Sequence, residues 1–229
     1  MSEFDRHAAT YASAVNDSIA FSGLKVDTFV RAKLFHLRRI FKQNGILQSD
    51  RVVDVGCGVG TYEMSLAEDW PNVTGIDLSQ ESIVLARQNC AGASFNSFDG
   101  KHMPFESGSV AAAFAICVWH HVPVEDWSLF LKEIFRILRP GGILAVFEHN
   151  PWNPLTRRAV ERCVFDKDAV LLSMRRAKQR MSAAGFSIQQ SEYILSVPAT
   201  TGIAGQIDRW LGSVPTGAQY FVVGRNSQN

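Results

Sequence analysis

The sequence has few of the features that mark disulfide-rich, zinc-ribbon or membrane proteins. Its 4 cysteines are widely spaced and form no CxxC pair, which argues against a disulfide scaffold and favours buried free thiols. The longest apolar run, residues 110–119, is too short to cross a bilayer. The first ten residues lack the apolar core of a secretory signal. We therefore expect a cytoplasmic chain with no insertion into a membrane.

An excess of charge of either sign is also absent. The chain has 23 basic and 22 acidic residues, which gives a formal net charge of +1, and 46% of its residues are hydrophobic. No global field would attract nucleic acid or a membrane surface, so we expect a small-molecule partner and no nucleic acid. Nothing in the composition indicates the oligomeric state.

Short apolar runs alternate with helical patterns, which is typical of an α/β fold. The first five runs are continuous rather than alternating, so we expect buried parallel strands. A helix over about 166–184 and two alternating segments follow, and the latter predict a closing strand pair. These patterns predict a doubly wound, Rossmann-like sheet with helices on both faces. The predicted strands lie at about 52–55, 72–77, 94–98, 110–119, 143–147, 186–197 and 218–224.

A length of 229 residues suits a single domain, residues 1–229, in which we distinguish three parts. Residues 1–45 form an N-terminal helical cap, 46–150 a cofactor-binding half and 151–229 an acceptor-side half. The cap includes an amphipathic helix whose basic face is expected to be solvated. The basic residues of that face are Arg31, Lys33, Arg38, Arg39 and Lys42.

The stretch RVVDVGCGVGTY joins a predicted strand to a helix through Gly56, Gly58 and Gly60. Such a turn lets backbone lie against a ligand without intervening side chains. The GxGxG spacing differs from the GxGxxG fingerprint of dinucleotide-binding proteins. The glycines alone support a ligand that contains adenosine and do not exclude a nicotinamide cofactor.

Three carboxylates at the ends of consecutive strands narrow the choice of ligand. Asp77 is placed to accept hydrogen bonds from ribose hydroxyls. Asp54 would meet a cationic amine but repel a pyrophosphate, and Asp99 would accept from an adenine amine; both could instead cap turns. No tyrosine is followed four residues later by lysine, the commonest pair of short-chain dehydrogenases. S-adenosylmethionine carries an ammonium, a ribose and an adenine without phosphate, so it fits this set.

The motifs VVDVGCGVG, GIDLS, DGKHMPF, ICVWHHV and LRPGG occur in this order over roughly residues 50–148. Together they resemble class I S-adenosylmethionine-dependent methyltransferases, especially the ubiquinone/menaquinone methyltransferase-like group. The resemblance implies a seven-stranded sheet with strand seven antiparallel between strands five and six. It also implies methyl transfer from S-adenosyl-L-methionine to an O, N or C atom of a small-molecule acceptor, with S-adenosyl-L-homocysteine as product.

The resemblance further implies roles for individual residues. The glycines would contact the cofactor through their backbone, and Asp77 would bind its ribose. Leu78 and Asp99 would contact the adenine, and Ile116 and Cys117 the methionine portion. Tyr11 would cover the cofactor, unless it only packs. The glycines meant here are Gly56, Gly58 and Gly60.

Candidate bases stand at the carboxyl ends of strands four and five, where such sheets bind their substrates. We predict His121 and His149 as catalytic, although a structural role is the alternative for each histidine. His120 and Glu148 lie beside them in the sequence. No metal is expected, because no acidic pair follows strand four.

The segment 150–165 departs from the pattern of the ubiquinone-type group. Its polar, aromatic and basic side chains would line or support an acceptor pocket if the segment covers the crevice. These are Asn150, Trp152, Asn153, Arg157 and Arg158.

The alternatives to a methyltransferase are a non-catalytic S-adenosylmethionine-binding protein and an NAD(P)-dependent oxidoreductase. Isothermal titration separates the last of these. We expect S-adenosylhomocysteine to bind and NAD(P) to give no heat of binding, because the predicted ligand set holds no phosphate-binding group. Tight binding of NAD(P) with none of S-adenosylhomocysteine would overturn the prediction.

Overall fold

The computed structural model of the chain describes residues 17–22, 24–197 and 202–228. Seven strands form one sheet in the order β3-β2-β1-β4-β5-β7-β6. Strand β7 runs antiparallel to both of its neighbours, and the other pairs are parallel. The predicted doubly wound sheet with an antiparallel last strand is therefore confirmed. The strands are β1 Val52–Val55, β2 Val73–Asp77, β3 Ser94–Ser97, β4 Val110–Ile116, β5 Leu138–His149, β6 Phe186–Ile194 and β7 Gln219–Asn226.

Helices cover both faces of the sheet. Every residue of β1 and β4 is buried, as expected for central parallel strands with helices on both sides. Val52 and Phe114 belong to the core on one face, and Val53 and Ala113 to the core on the other. The α-helices are α1 Val26–Gln43, α2 Glu63–Leu66, α3 Gln80–Asn89, α4 Trp127–Ile137, α5 Pro154–Arg162, α6 Met174–Ala183 and α7 Gly202–Trp210.

The predicted helix over 166–184 begins eight residues later than expected, at Met174. The Ser173 side chain accepts a hydrogen bond from the Arg176 N–H and so caps α6 at this point. The chain before it is tied to other elements: the Val170 N–H donates to the His120 carbonyl at 2.9 Å, and the Tyr220 hydroxyl donates to the Leu172 carbonyl at 2.9 Å. Tertiary contacts thus override the helical periodicity here.

The basic face of α1 is not simply solvated, which corrects the expectation from sequence. Lys33 is only 6% exposed. Arg38 pairs with Asp69 at 2.7 Å and Arg39 pairs with Glu192 at 2.5 Å. These contacts dock the charged side of the helix onto the rest of the protein.

All four cysteines are free, and three of them, Cys57, Cys90 and Cys163, are buried. None of the helices in the described ranges has the length and apolar character needed to span a bilayer.

The docking of α1 can be tested with Leu37→Ala. Leu37 is 0% exposed and packs in the core beneath β1 and β4, so truncation leaves a cavity and should lower the free energy of unfolding by about 2–5 kcal/mol. The control is Leu47→Ala, because Leu47 is 62% exposed and its truncation removes little buried surface. Urea unfolding measures both; equal effects of the two substitutions would contradict the described packing.

Candidate active site

The turn after β1 needs glycine for two different reasons. Gly56, Gly58 and Gly60 all have positive φ, +84°, +53° and +79°, a region that disfavours other residues. A Cβ at Gly56 would clash with the Val118 side chain, and one at Gly60 would lie 3.1 Å from Phe95. A Cβ at Gly58 would meet nothing within 4 Å. Gly58 therefore presents open backbone, as a ligand-binding turn requires.

Asp77 holds this turn against the end of β2. One of its oxygens accepts from the Gly58 N–H at 2.9 Å, and the other accepts from the Ser79 N–H at 2.8 Å. Each carboxylate oxygen has a further lone pair, so these bonds leave capacity to accept from a ligand hydroxyl. The carboxylate links the glycine turn to the N-terminus of α3.

Asp54 and Glu63 form a pair of buried acids beside the turn. Asp54 is 1% and Glu63 0% exposed, and no nitrogen or hydroxyl of another described residue donates to their carboxylate oxygens. Burial, together with the neighbouring acid, raises the pKa of Asp54 well above its ordinary value, and burial raises the pKa of Glu63 to about 7. The two carboxyl groups hydrogen-bond to each other, and neither receives an N–H donor of the kind that a cationic amine would supply.

Leu78 and Asp99 lie on adjacent loops. Leu78 is 55% exposed, and a Cβ at Gly100 would come within 3.0 Å of its side chain. Asp99 accepts from the backbone N–H groups of His102 and Lys101 at 2.7 and 2.8 Å, and these bonds lower its pKa to about 2. Asp99 thus caps its own turn, the alternative considered from sequence, and an adenine contact stays a prediction.

Cys117 follows the buried Ile116 at the end of β4 and has a positive φ of +57°. Its sulfur lies 3.4 Å from the Lys33 Nζ and 3.5 Å from the Gln219 Nε2. Burial alone would raise the pKa of the thiol, but the charges of Lys33 and His149 outweigh it and bring the pKa to about 7. The predicted cofactor side of β4 is therefore cationic around this thiol.

Beyond Cys117, imidazoles and carboxylates form a cluster at the ends of β4 and β5. The His120 Nδ1 is 2.5 Å from a Glu148 oxygen, while the other Glu148 oxygen accepts from the Trp119 N–H at 2.8 Å. One Asp166 oxygen lies 3.5 Å from the Nε2 atoms of both His120 and His121. The cluster thus combines residues from three separate parts of the chain.

The pKa values of His120 and His121 shift in opposite directions. Burial opposes a charge on His120, but Glu148 and Asp166 outweigh burial and raise its pKa to about 10. Burial and the neighbouring His120 lower the pKa of His121 to about 4. His149 packs 5.1 Å from His120 between ring centroids, and its Nδ1 lies 3.4 Å from the Gln219 Nε2. His121 is therefore neutral at pH 7, whereas His120, with no metal bound, carries a proton on both ring nitrogens.

The asparagines after β5 have structural roles. Asn150 is 0% exposed and donates to the carbonyls of Pro215 and Gly217 at 3.1 and 2.8 Å. Asn153 caps α5 by accepting from the Leu155 and Thr156 N–H groups. Of the aromatic and basic residues predicted to surround the acceptor, Trp152 is 69% exposed, and the Arg158 guanidinium lies 5.0 Å from the Phe21 ring centroid. The segment is thus anchored to residues 215–217.

Sequence reasoning misses four residues of the site: Lys33, Glu63, Asp166 and Gln219. Glu63 opens the helix after the glycine stretch, where an acid is ordinary. Periodicity places Lys33 on a solvated face and Asp166 at the start of a predicted helix, and Gln219 lies in a predicted strand. Of the predicted site residues, Tyr11 lies outside the described residues; the others surround the carboxyl ends of β1, β2, β4 and β5 and the loop after β3.

Comparison with known proteins identifies the family. The profile described as "Methyltransferase domain" matches residues 53–146, which contain the glycine turn, Asp77 and both histidines after β4. The chain contains a methyltransferase domain, as its motifs predict. Its cofactor is S-adenosylmethionine, as predicted. The orphaned carboxylates of Asp54 and Glu63 fit the cofactor's ammonium, and the open backbone at Gly58 fits its close approach.

Related proteins agree with this assignment. The chain is 31% identical to 2-methyl-6-phytyl-1,4-hydroquinone methyltransferase of Synechocystis over 72% of this chain and 50% of that protein. It is 29% identical to demethylmenaquinone methyltransferase of Staphylococcus aureus over 48% of each chain. Magnesium protoporphyrin IX methyltransferase from Synechocystis, solved with bound S-adenosylhomocysteine, has the same fold: TM-score 0.64 at 16% identity, covering 87% and 84% of the two chains. The methyltransferase spans about half the length of these curated relatives.

The buried acid pair predicts a pH dependence of stability. The folded-state pKa of Glu63, about 7, lies above its ordinary value of 4.5, so its favourable contribution is complete below pH 4.5 and is lost as the pH rises towards 7. Glu63→Gln lacks this loss. Urea unfolding at pH 4.5 and pH 7 should therefore show a stability gain of the variant over the wild type that is larger at pH 7.

The matched control is Glu68→Gln, because Glu68 is exposed on the neighbouring turn. Its unfolding should follow the wild type at both pH values. S-adenosylhomocysteine should reduce the loss in the wild type, because its ammonium compensates the acid pair. A difference between wild type and Glu63→Gln that does not vary with pH would show that Glu63 does not titrate in this range.

Proposed function

We propose that the chain transfers the methyl group of S-adenosylmethionine to an oxygen, nitrogen or carbon atom of a small-molecule acceptor. The observation that carries the proposal is the position of Gln219. Its Nε2 lies 3.5 Å from the Cys117 sulfur and 3.4 Å from the His149 Nδ1, so it joins the predicted cofactor contact to the histidine cluster. An acceptor between them would face the methyl group on one side and imidazoles on the other.

The chain's own residues would align the reactants and accept a proton. When bound, the cofactor supplies an electrophilic methyl group whose bond to sulfur breaks, with its electron pair, as the bond to the acceptor forms. Alignment is the main requirement of such an in-line displacement. Asp54, Glu63, Asp77 and the Gly58 backbone would hold the donor. The imidazole of His121 or His149 would take the proton of an oxygen or nitrogen acceptor.

The acceptor side is assigned to the segments that differ most from the family pattern. We propose that residues 1–24, 150–165 and 198–216 carry acceptor specificity, with 1–45 as a cap. The relatives named above act on hydroquinone and menaquinone precursors by their names, so a hydroquinone is the first acceptor to try. The four free thiols support a reducing, cytoplasmic compartment.

The proposal is tested with S-adenosylmethionine labelled in its methyl group. The chain is incubated with a hydroquinone, a fatty acid and a fractionated small-molecule extract, and label in each fraction is measured. We expect label in at least one small molecule. We expect His149→Ala or His121→Ala to lower kcat by about 10²-fold without changing the affinity for S-adenosylhomocysteine, because a base is needed only during transfer.

Lys132→Ala is the control, because Lys132 is exposed on α4, away from the cluster, and should keep full turnover. Full turnover in both histidine variants would remove the base from the proposal. Binding of S-adenosylhomocysteine with no label in any fraction would instead favour a non-catalytic binding protein.

A further inference from the structure

The three ligand atoms of the histidine cluster have the spacing of a metal site. The Asp166 Oδ1 is 3.5 Å from the Nε2 of His120 and 3.5 Å from the Nε2 of His121, and all three atoms lie within 4.8 Å of one another. Ligand bonds of about 2.0–2.2 Å to zinc place neighbouring tetrahedral ligand atoms about 3.3–3.6 Å apart. Two of the three separations already lie in this range, so small side-chain movements would close the site.

The buried carboxylate of Glu148 holds the His120 ring in an orientation that suits a metal ligand. Glu148 accepts from the Nδ1 side of the ring at 2.5 Å, which directs the lone pair of Nε2 into the cluster. That Nε2 atom is buried and faces the Asp166 Oδ1 at 3.5 Å, so a metal ion would take the place of the proton between them. A carboxylate that orients a histidine whose second nitrogen binds metal is a recurring arrangement in metalloproteins.

The charge of the cluster also favours a divalent cation. Glu148 and Asp166 place two carboxylates beside the imidazoles, where their side chains are only 1% and 11% exposed. Buried charges need partners. A proton on His120 balances one of the two charges, whereas a divalent ion balances both.

We propose that His120, His121 and Asp166 bind one divalent transition-metal ion of the zinc type, with Glu148 orienting His120. Three protein ligands leave a fourth position open, as in catalytic zinc sites. The side chain of His121 is 23% exposed, so this position is reachable from outside. Imidazole ligands favour zinc, cobalt or iron over magnesium. The expectation of no metal considered only residues near strand four and overlooked Asp166.

The role of the metal rests on the proposed function. At the open position, an oxygen of the acceptor would coordinate the ion, which holds the nucleophile in place and favours its deprotonated form. With His121 as a ligand, the role of base would fall to His149. The metal would thus select acceptors that carry a hydroxyl or carboxylate near the methylated atom. Metal binding itself requires neither acceptor nor cofactor.

The test is a zinc titration of the metal-free full chain in competition with a chromogenic chelator, together with visible spectroscopy of the cobalt-substituted chain. We expect one zinc per chain, a tetrahedral cobalt spectrum and no competition by magnesium. Asp166→Asn and His121→Ala should each weaken zinc binding by at least tenfold. His102→Ala is the matched control, because the side chain of His102 is 83% exposed and outside the cluster, and it should bind zinc like the wild type.

Circular dichroism of each variant shows whether the fold is retained, and Glu148→Gln supplies a further readout: loss of an orienting partner should weaken zinc by about 10- to 100-fold. Equal zinc affinity in the wild type, Asp166→Asn and His121→Ala would overturn the proposal. It would also be overturned if the wild type binds no zinc and NMR shows His120 doubly protonated at pH 7. Either result leaves methyl transfer, measured separately with labelled cofactor, unaffected.

Discussion

The site depends on one constraint: each carboxylate buried at the carboxyl edge of the sheet needs a hydrogen-bond donor or a positive charge beside it. The parallel strands β2, β1 and β5, the last separated from β1 by β4, bring Asp77, Asp54 and Glu148 to the same edge. Little water reaches Asp54 and Glu148 there. Each carboxylate is compensated differently. Asp77 receives two backbone N–H groups, and Glu148 receives His120 and the Trp119 N–H. Asp54 has only the Glu63 carboxyl beside it and receives no N–H donor from the described chain, so a cationic ligand group would compensate it.

A buried lysine also lies in the site, between the acids of β1 and those of β5. Lys33 reaches Cys117 from α1, although a buried lysine is costly unless its charge is used. The ammonium stabilises the thiolate form of Cys117 and connects α1 to the end of β4. Gln219, from β7, then connects the thiol to His149. A helix before the family-matched region and a strand after it therefore help to fix the centre of the site.

The donor side of the site was predictable from sequence because its signals are local. The glycines, Asp54 and Asp77 lie within two consecutive strand–turn–helix units, and apolar runs locate their strands. The residues that were missed act over long distances. Asp166 meets His120 through a stretch whose helical periodicity is broken by the cap at Ser173, and Lys33 is buried on a face that periodicity assigns to solvent. Hydrophobic periodicity indicates which residues share a face of a helix. It does not indicate which charged side chain is buried against a distant partner.

The histidines of the cluster and their acidic partners lie on opposite sides of the end of the methyltransferase-domain match. The methyltransferase-domain match ends at residue 146, so it contains His120 and His121 but neither Glu148 nor Asp166, which set the protonation and orientation of those histidines. A relative can therefore keep the entire donor side and both histidines while it replaces their partners. Under the proposed function, substitution of Asp166 would change how acceptors are held and leave intact the hydrogen bond from the Gly58 N–H to Asp77. The proposed acceptor side can therefore change without altering the glycine turn that faces the donor.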